Sequence, residues 1–205
     1  MKKIEIIITA NGKGERMMGV SPMPKHRLYL GSERAYEAQI RILSPFGRVR
    51  VLTCYDCPGI SESQIIRCGP TGSRKETLFY IEGLRNCLIC DCDILPAGIA
   101  AWNTYTDAIW YFRSSDARYC GLVRNAAGRR LLSAVERAPG AQLRASGLYF
   151  VKEVSTLLAR MSAEPNSIAA AMPYAWLIEE NTFMRFGETQ TYLDTISTFV
   201  NDNSC

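Results

Sequence analysis

Near the start of the chain lies the segment with the densest chemical pattern, Ala10-Asn11-Gly12-Lys13-Gly14-Glu15-Arg16-Met17. Two glycines one residue apart let backbone N–H groups turn inward and approach phosphate oxygens closely. Arg16 adds a planar cation that can take two oxygens at once. Pro24-Lys25 then supplies an ammonium on the same side of the sheet. A polyphosphate suits such a set; a tight turn with solvated charges is the plainer alternative. The next helix is expected only near Ser32, so the pattern is not a dinucleotide fingerprint, which needs its helix at once. No Gly-Lys-Ser/Thr follows either, which excludes the Walker loop.

A second candidate is Asp91-Cys92-Asp93. On an extended segment residues two apart face the same way, so both carboxylates can approach one metal ion. The position is the carboxyl end of an expected parallel strand, where α/β sheets place ligands. The alternative is a polar strand-end loop; for metal binding, Asp93 is the better placed of the two. The single histidine, His26, reads as a loop residue or phosphate contact rather than a general base. Eight cysteines include Cys54/Cys57 and Cys87/Cys90 at Cys-x-x-Cys spacing. The second pair falls in an expected strand, where residues three apart point to opposite faces and cannot share a metal. Reduced, mostly buried thiols are the expected state, in keeping with a cytoplasmic protein.

These residues need elements to position them. Ile4–Ala10 is short and β-branched, a strand buried on both faces. A helix is expected from Ser32 or Glu33, with Tyr36, Ile40 and Leu43 on its apolar face, ending at Pro45 and Gly47. Strands are expected at Arg48–Cys54, Gln64–Cys68 and Cys87–Cys90. The loop Gly69–Ser73 leads into a helix from about Arg74 to Arg85. This alternation is that of a parallel sheet with crossover helices. Later strands are read at Ala108–Phe112, Tyr119–Val123, Leu131–Val135, Leu148–Val151, Tyr174–Ile178 and Thr182–Phe186. Helices are read at about Lys152–Met161 and Thr189–Val200. The expectation is one α/β domain over 1–205, with a parallel half (about 1–100) that holds a nucleotide and a mixed half (about 101–205) that closes over a second substrate.

At 205 residues the chain can bury a continuous core without metal or disulfide staples. Its net charge of +4 suits an anionic small substrate, and no dense basic stripe suggests nucleic acid. No apolar run approaches a membrane span. Met1-Lys2-Lys3 precedes an apolar run, as in a signal peptide, but Glu5 interrupts it and no small-residue cleavage site follows.

The glycine-rich segment followed by Pro24-Lys25 resembles the signature of the sugar-phosphate nucleotidyltransferases, Ala-Ala-Gly-x-Gly-x-Arg-Met or -Leu and then Pro-Lys. The likeness continues more weakly in order along the chain. Leu28-Tyr29-Leu30-Gly31 matches the strand and turn before the first helix. Ser73–Leu78 resembles the helix start that borders the base and the second substrate, and Leu88–Pro96 the strand ending in the metal aspartate. Val135-Glu136-Arg137 resembles the Glu-Lys pair beneath the sugar, and Ala145-Ser146-Gly147-Leu148-Tyr149 an Asn-Ala-Gly-Ile-Tyr strand. Phe186–Tyr192 resembles the Asp-Phe-Gly-x-x-x-Thr-Tyr closing motif of capsule-type members.

The resemblance implies a single-domain, Rossmann-like, three-layer α/β/α fold with a mixed, mainly parallel sheet. It implies transfer of a nucleoside monophosphate from a triphosphate to a phosphorylated small molecule, with release of pyrophosphate. Arg16, Lys25 and Asp93 would be catalytic, and Ala10, Asn11, Gly12, Lys13, Gly14, Glu15, Gly72 and Ser73 would bind the nucleotide. Glu136, Arg137, Gly147, Arg185 and Glu188 would face the second substrate. Mg²⁺ would sit on Asp93, with Asp91 beside it. No base is required, because the attacking phosphate is already ionised. Two departures stand out. Arg185 replaces the aspartate expected before Phe186-Gly187, so Glu188 substitutes, one carboxylate suffices, or binding survives without catalysis. Arg137 stands where a lysine is expected, keeping the charge but changing the geometry. A glycosyltransferase using Asp91-x-Asp93 is the enzymatic alternative, although it has no pyrophosphate to hold.

Overall fold

The computed structural model describes residues 4–12, 23–96, 99, 105–161, 167–180, 183–186 and 191–195. In chain order the elements are β1 (Ile4–Thr9), β2 (Tyr29–Leu30), β3 (Glu33–Arg34), α1 (Ala35–Leu43), β4 (Gly47–Thr53) and β5 (Ile65–Arg67). There follow α2 (Arg74–Phe79), β6 (Arg85–Asp91), β7 (Ile94–Pro96), β8 (Ala108–Arg113), β9 (Gly121–Arg124) and β10 (Leu131–Val135). The last are β11 (Leu143–Glu153), α3 (Val154–Arg160), β12 (Trp176–Glu179) and β13 (Phe183–Arg185). Residues 191–195 are helical.

Two compact units divide the chain. The first comprises Met1–Pro70, Cys90–Gly98 and Thr182–Cys205; the second, Thr71–Ile89 and Ile99–Asn181. In the first unit β1, β4 and β5 are parallel neighbours, registered from Ile4 opposite Gly47 to Thr9 opposite Leu52, and from Val51 opposite Ile65 to Thr53 opposite Arg67. Ile6, Ile7 and Ile8 are fully buried, as a strand covered on both faces requires. Leu28, Leu30, Ala35, Ala38, Leu95 and Phe186 form an apolar cluster that joins α1 to β7 and β13, an antiparallel pair. In the second unit β8 pairs with β12 in parallel and with β11 antiparallel, and β11 and β10 flank β9. Trp110, Leu148 and Phe150 are fully buried there.

Three local expectations are corrected. The first helix opens at Ala35 rather than Ser32 or Glu33 because Glu33–Arg34 pairs back on Tyr29–Leu30 as a hairpin. Gly31 turns that hairpin at φ 65, a conformation glycine adopts without strain. The Glu37 carboxylate then accepts the Arg34 N–H at 2.6 Å, satisfying one donor at the helix start. The second helix stops at Phe79, not Arg85: the bonds from Tyr80, Ile81, Glu82 and Leu84 all reach back only three residues. β11 begins at Leu143 rather than Leu148, so Ala145-Ser146-Gly147 lies inside a long strand. Gly147, at φ 98, sits where its register with β8 slips. The hairpin turn at Asn125–Gly128 matches expectation, closed by Gly128 N–H donating to Asn125 O at 2.8 Å.

Candidate functional site

In the first unit the candidate residues Ala10 and Asn11 follow the carboxyl end of β1, and Asp91 and Asp93 stand at and just past that of β6. Ala10 is fully buried, and its carbonyl accepts the Thr53 hydroxyl at 2.9 Å. Asn11 joins three strand ends: its Nδ2 donates to Gly69 O (3.3 Å) and its Oδ1 accepts from Cys54 N–H (3.0 Å). A Cβ built on Gly12 would meet nothing within 4 Å, so this glycine is not demanded by crowding. Lys13, Gly14, Glu15 and Arg16 lie outside the described residues, as do Glu188 and much of the expected final helix.

Lys25 opens a short 3₁₀ turn, Lys25–Arg27, after extended Pro24. Its ammonium lies 2.9 Å from Asp93 Oδ2, with side-chain exposures of 11% and 29%. Asp93 stands in the turn between β6 and β7, past the last extended residue, Asp91. The same-face argument for the two aspartates therefore does not reach Asp93, and the turn sets their relation instead. The Thr9 hydroxyl lies 3.4 Å from Asp91 Oδ1 and 3.3 Å from Cys90 O. Gln39, fully buried on α1, donates to Asp91 O and Ile94 O, both at 2.8 Å, and so pins both ends of this turn. Composition and motif reading missed Gln39. Its signal was a polar residue on the apolar stripe, three positions after Tyr36 and four before Leu43. Arg185, on β13, is opposite Ile94 of β7, and the next residue, Phe186, donates its N–H to Asp93 O at 3.1 Å. A cation thus stands in sequence and in register beside the aspartate turn.

His26 is fully buried, with its ring 5.5 Å from that of Tyr55 and 6.1 Å from that of Tyr36. It is neither exposed in a loop nor free to meet phosphate. Burial first, and the Arg27 charge second, push its pKa from 6.5 down to about 4. Tyr36 and Tyr55, whose own pKa values burial raises, stay neutral in this range. Below about pH 6.5 the unfolded chain takes up a proton that the folded chain refuses, so His26 contributes stability above that pH and loses it as pH falls toward 4. The expected loss is about 2 kcal/mol between about pH 7.5 and about pH 5. The Asp116 carboxyl, held down to about 2 chiefly by its bonds from Arg118, titrates well below this window. Urea unfolding at the two pH values reads the effect, and the His26→Phe variant should lack it.

The remaining residues lie in the second unit. The Ser73 hydroxyl caps α2 by accepting Glu76 N–H at 3.1 Å, while Gly72 N–H donates to Glu76 Oε2 at 2.9 Å. Glu136 and Arg137 are exposed after β10, with Arg137 at φ 52. Cys120, buried and shifted up to about 11 mainly by burial, lies near Glu136. Arg144, fully buried on β11, donates to four carbonyls: Ser114 and Ser115 (3.2 Å each), Tyr119 (3.2 Å) and Ala138 (2.9 Å). No sequence expectation reached Arg144, which precedes the strand expected at Leu148–Val151.

The carboxylates of Asp91, at the end of β6, and Asp93, in the turn after it, provide the hard oxygen chemistry that Mg²⁺ takes, since this ion commonly uses one or two carboxylates together with substrate phosphates. Among the described residues no group of three His, Cys, Asp or Glu side chains could hold a metal, so no closed protein cage is present there. Among the described residues no cysteine forms a disulfide, and Cys87 and Cys90 are fully buried. No helix among the described residues is long and apolar enough to cross a membrane.

The sequence matches no family model and no curated protein. Its fold has clear counterparts. The nucleoside-diphosphate-sugar pyrophosphorylase of Vibrio cholerae RC9 superimposes with a TM-score of 0.74 at 14% identity, over 95% of this chain and 100% of that one. The CTP:phosphocholine cytidylyltransferase of Streptococcus pneumoniae gives 0.78 at 13% identity, over 96% and 99%. A UDP-glucose pyrophosphorylase from Acinetobacter baumannii gives 0.74 at 12%, over 100% and 95%. With parallel β1, β4 and β5 and a mixed second set of strands, the chain has the Rossmann-like α/β fold of the sugar-phosphate nucleotidyltransferases.

Proposed function

We propose that the protein transfers a nucleoside monophosphate from a triphosphate to a sugar 1-phosphate or a similar phosphorylated small molecule, releasing pyrophosphate. The observation that carries this reading is the 2.9 Å contact between Lys25 and Asp93, which joins two motifs 68 residues apart at the strand ends. An ammonium and a carboxylate held together suit a reaction in which catalysis is positioning and charge neutralisation rather than covalent chemistry. In this reading Lys25 bridges the α-phosphate and the incoming phosphate. Asn11 braces the β1 end from which the glycine-rich segment leaves, and Arg16 holds the departing phosphates. Gly72 and Ser73 border the nucleotide, while Glu136, Arg137 and Gly147 face the second substrate. Asp93, with Asp91, would hold Mg²⁺, which supplies charge neutralisation at phosphate oxygens when bound. The structural neighbours include a CTP:phosphocholine cytidylyltransferase and pyrophosphorylases of sugar nucleotides, which span the same class of reaction. These substrates and this fold suit a cytoplasmic enzyme.

Arg185 beside the aspartate turn favours a second reading, a domain that binds nucleotide without turning it over. Pyrophosphate release, screened across four triphosphates and a panel of sugar and alcohol phosphates with Mg²⁺, separates the two. The proposed function requires release that depends on both substrates. Nucleotide binding with no release from any pair would establish the second reading, and hydrolysis of a sugar nucleotide would point to glycosyl transfer instead.

A further inference from the structure

His26 has no part in the proposed chemistry, yet it is the middle residue of the turn that carries Lys25. That turn is slight. Its backbone is closed by Arg27 N–H donating to Pro24 O (2.9 Å) and Leu28 N–H donating to Lys25 O (3.1 Å). A lysine side chain loses much rotamer freedom when it is fixed, about 2 kcal/mol, so holding its ammonium at one carboxylate demands a fixed Cα beneath it. The groups gripping His26 provide that. Tyr36 comes from α1, and its hydroxyl donates to Pro58 O. Tyr55 follows β4; its N–H donates to Thr53 Oγ1 at 3.0 Å, and its carbonyl accepts from Arg67 at 3.0 Å. The imidazole is therefore held from two elements that are themselves tied to backbone. Neither ring nitrogen has a hydrogen-bond partner among the described residues, so the polar atoms of the ring do not explain its burial. Its neutral state, favoured by burial beside Arg27, agrees with a ring that acts as an aromatic body.

We infer that His26 is a positioning residue: its buried ring, packed against Tyr36 and Tyr55, fixes the turn that delivers the Lys25 ammonium to Asp93. The catalytic consequence rests on the proposed role of Lys25, whereas the positioning itself rests on geometry alone. The two are tested separately. Competitive acetylation of the full-length protein with acetic anhydride, read lysine by lysine by mass spectrometry, reports how firmly Lys25 is held. In the parent Lys25 reacts slowly. In His26→Ala its labelling rises about tenfold, the change expected when one charge-assisted contact is released. Lys75, whose ammonium donates to Met161 O at 2.6 Å, serves as a control and keeps its parent rate. A variant that merely loosens the whole fold would speed both lysines. His26→Phe, which keeps the ring and discards the unpartnered nitrogens, restores the slow Lys25 rate. In the pyrophosphate assay the kcat of His26→Ala falls about tenfold with the triphosphate KM little changed, and His26→Phe recovers it. Parent-like labelling of Lys25 in folded His26→Ala overturns the inference, as does a folded His26→Phe that labels like alanine. Should His26→Ala not fold, His26→Leu fills the space without a ring, and the same two outcomes decide. A parent with no turnover would defeat the proposed function while leaving the labelling result to judge His26.

Discussion

Methionine in place of Lys25 is expected to lower the kcat of pyrophosphate release about 10²–10³-fold, the loss typical when one preorganised group that stabilises developing charge is removed. Methionine keeps most of the length and the apolar stem while deleting only the ammonium. That ammonium is largely shielded and 2.9 Å from Asp93, so its field at a phosphate held there is not diluted by bulk water. The KM for the triphosphate should change by no more than about threefold, because the lost interaction strengthens as phosphorus is attacked rather than on binding. Lys25→Arg should not restore the rate: a guanidinium is planar and branched, and it cannot occupy the point position of an ammonium. Parent-like unfolding in urea would exclude a collapsed fold as the cause. A Lys25→Met rate within about threefold of the parent would remove Lys25 from the chemistry and, with it, the observation that carries the functional reading.

The contact at stake was half legible in the sequence. Each partner announced itself: Lys25 by following a proline after a glycine-rich turn, Asp93 by ending an apolar run. Their meeting was implied only by resemblance, because no local pattern reports which strand ends are neighbours. A strand such as β1 was readable because burial on both faces at Ile6–Ile8 leaves a continuous β-branched run. Of the hairpin before α1, the resemblance implied the first strand and turn, and the second strand was not legible. Glu33 and Arg34 look like a polar helix start, and only their pairing with Tyr29 and Leu30 makes them a strand. The departure at Arg185 was visible as a substitution, but its consequence was not. The register of β13 on β7 is what sets Arg185 opposite Ile94, the residue after Asp93.

Buried polar residues were the least legible class, for a physical reason. Their burial depends on partners far away in sequence, while propensity and periodicity are local. Gln39 satisfies two carbonyls across the aspartate turn, and His26 is buried against two tyrosines. In each case the sequence offered only an exception to a pattern. A polar residue on an apolar stripe is such an exception, and both residues stand next to the candidate site.

Arg144 is the extreme case, and replacing it with methionine is expected to cost at least about 4 kcal/mol of folding free energy. Its guanidinium is fully buried and donates to Ser114, Ser115, Tyr119 and Ala138, all main-chain carbonyls. Methionine fills most of the volume but donates nothing. Each carbonyl then loses a charge-assisted bond, worth about 1.5–3 kcal/mol when its partner is ionised. Relaxation toward water would recover part of this, which keeps the expected loss below the full sum. Arg144→Lys should recover little, since three donors on a single nitrogen cannot span acceptors on separate loops as a planar fork does. The damage should also be directional. Residues 114–119 and 136–140 surround the guanidinium, so their amides should lose hydrogen-exchange protection before those of the β1–β4 pair. Glu136 and Arg137 belong to the second of these segments; under the proposed function, in which they face the phosphorylated second substrate, a variant that still folds should raise the KM of that substrate more than that of the triphosphate. A stability loss under about 1 kcal/mol by denaturant unfolding would show that the carbonyls find other donors, and that Arg144 does not organise these loops.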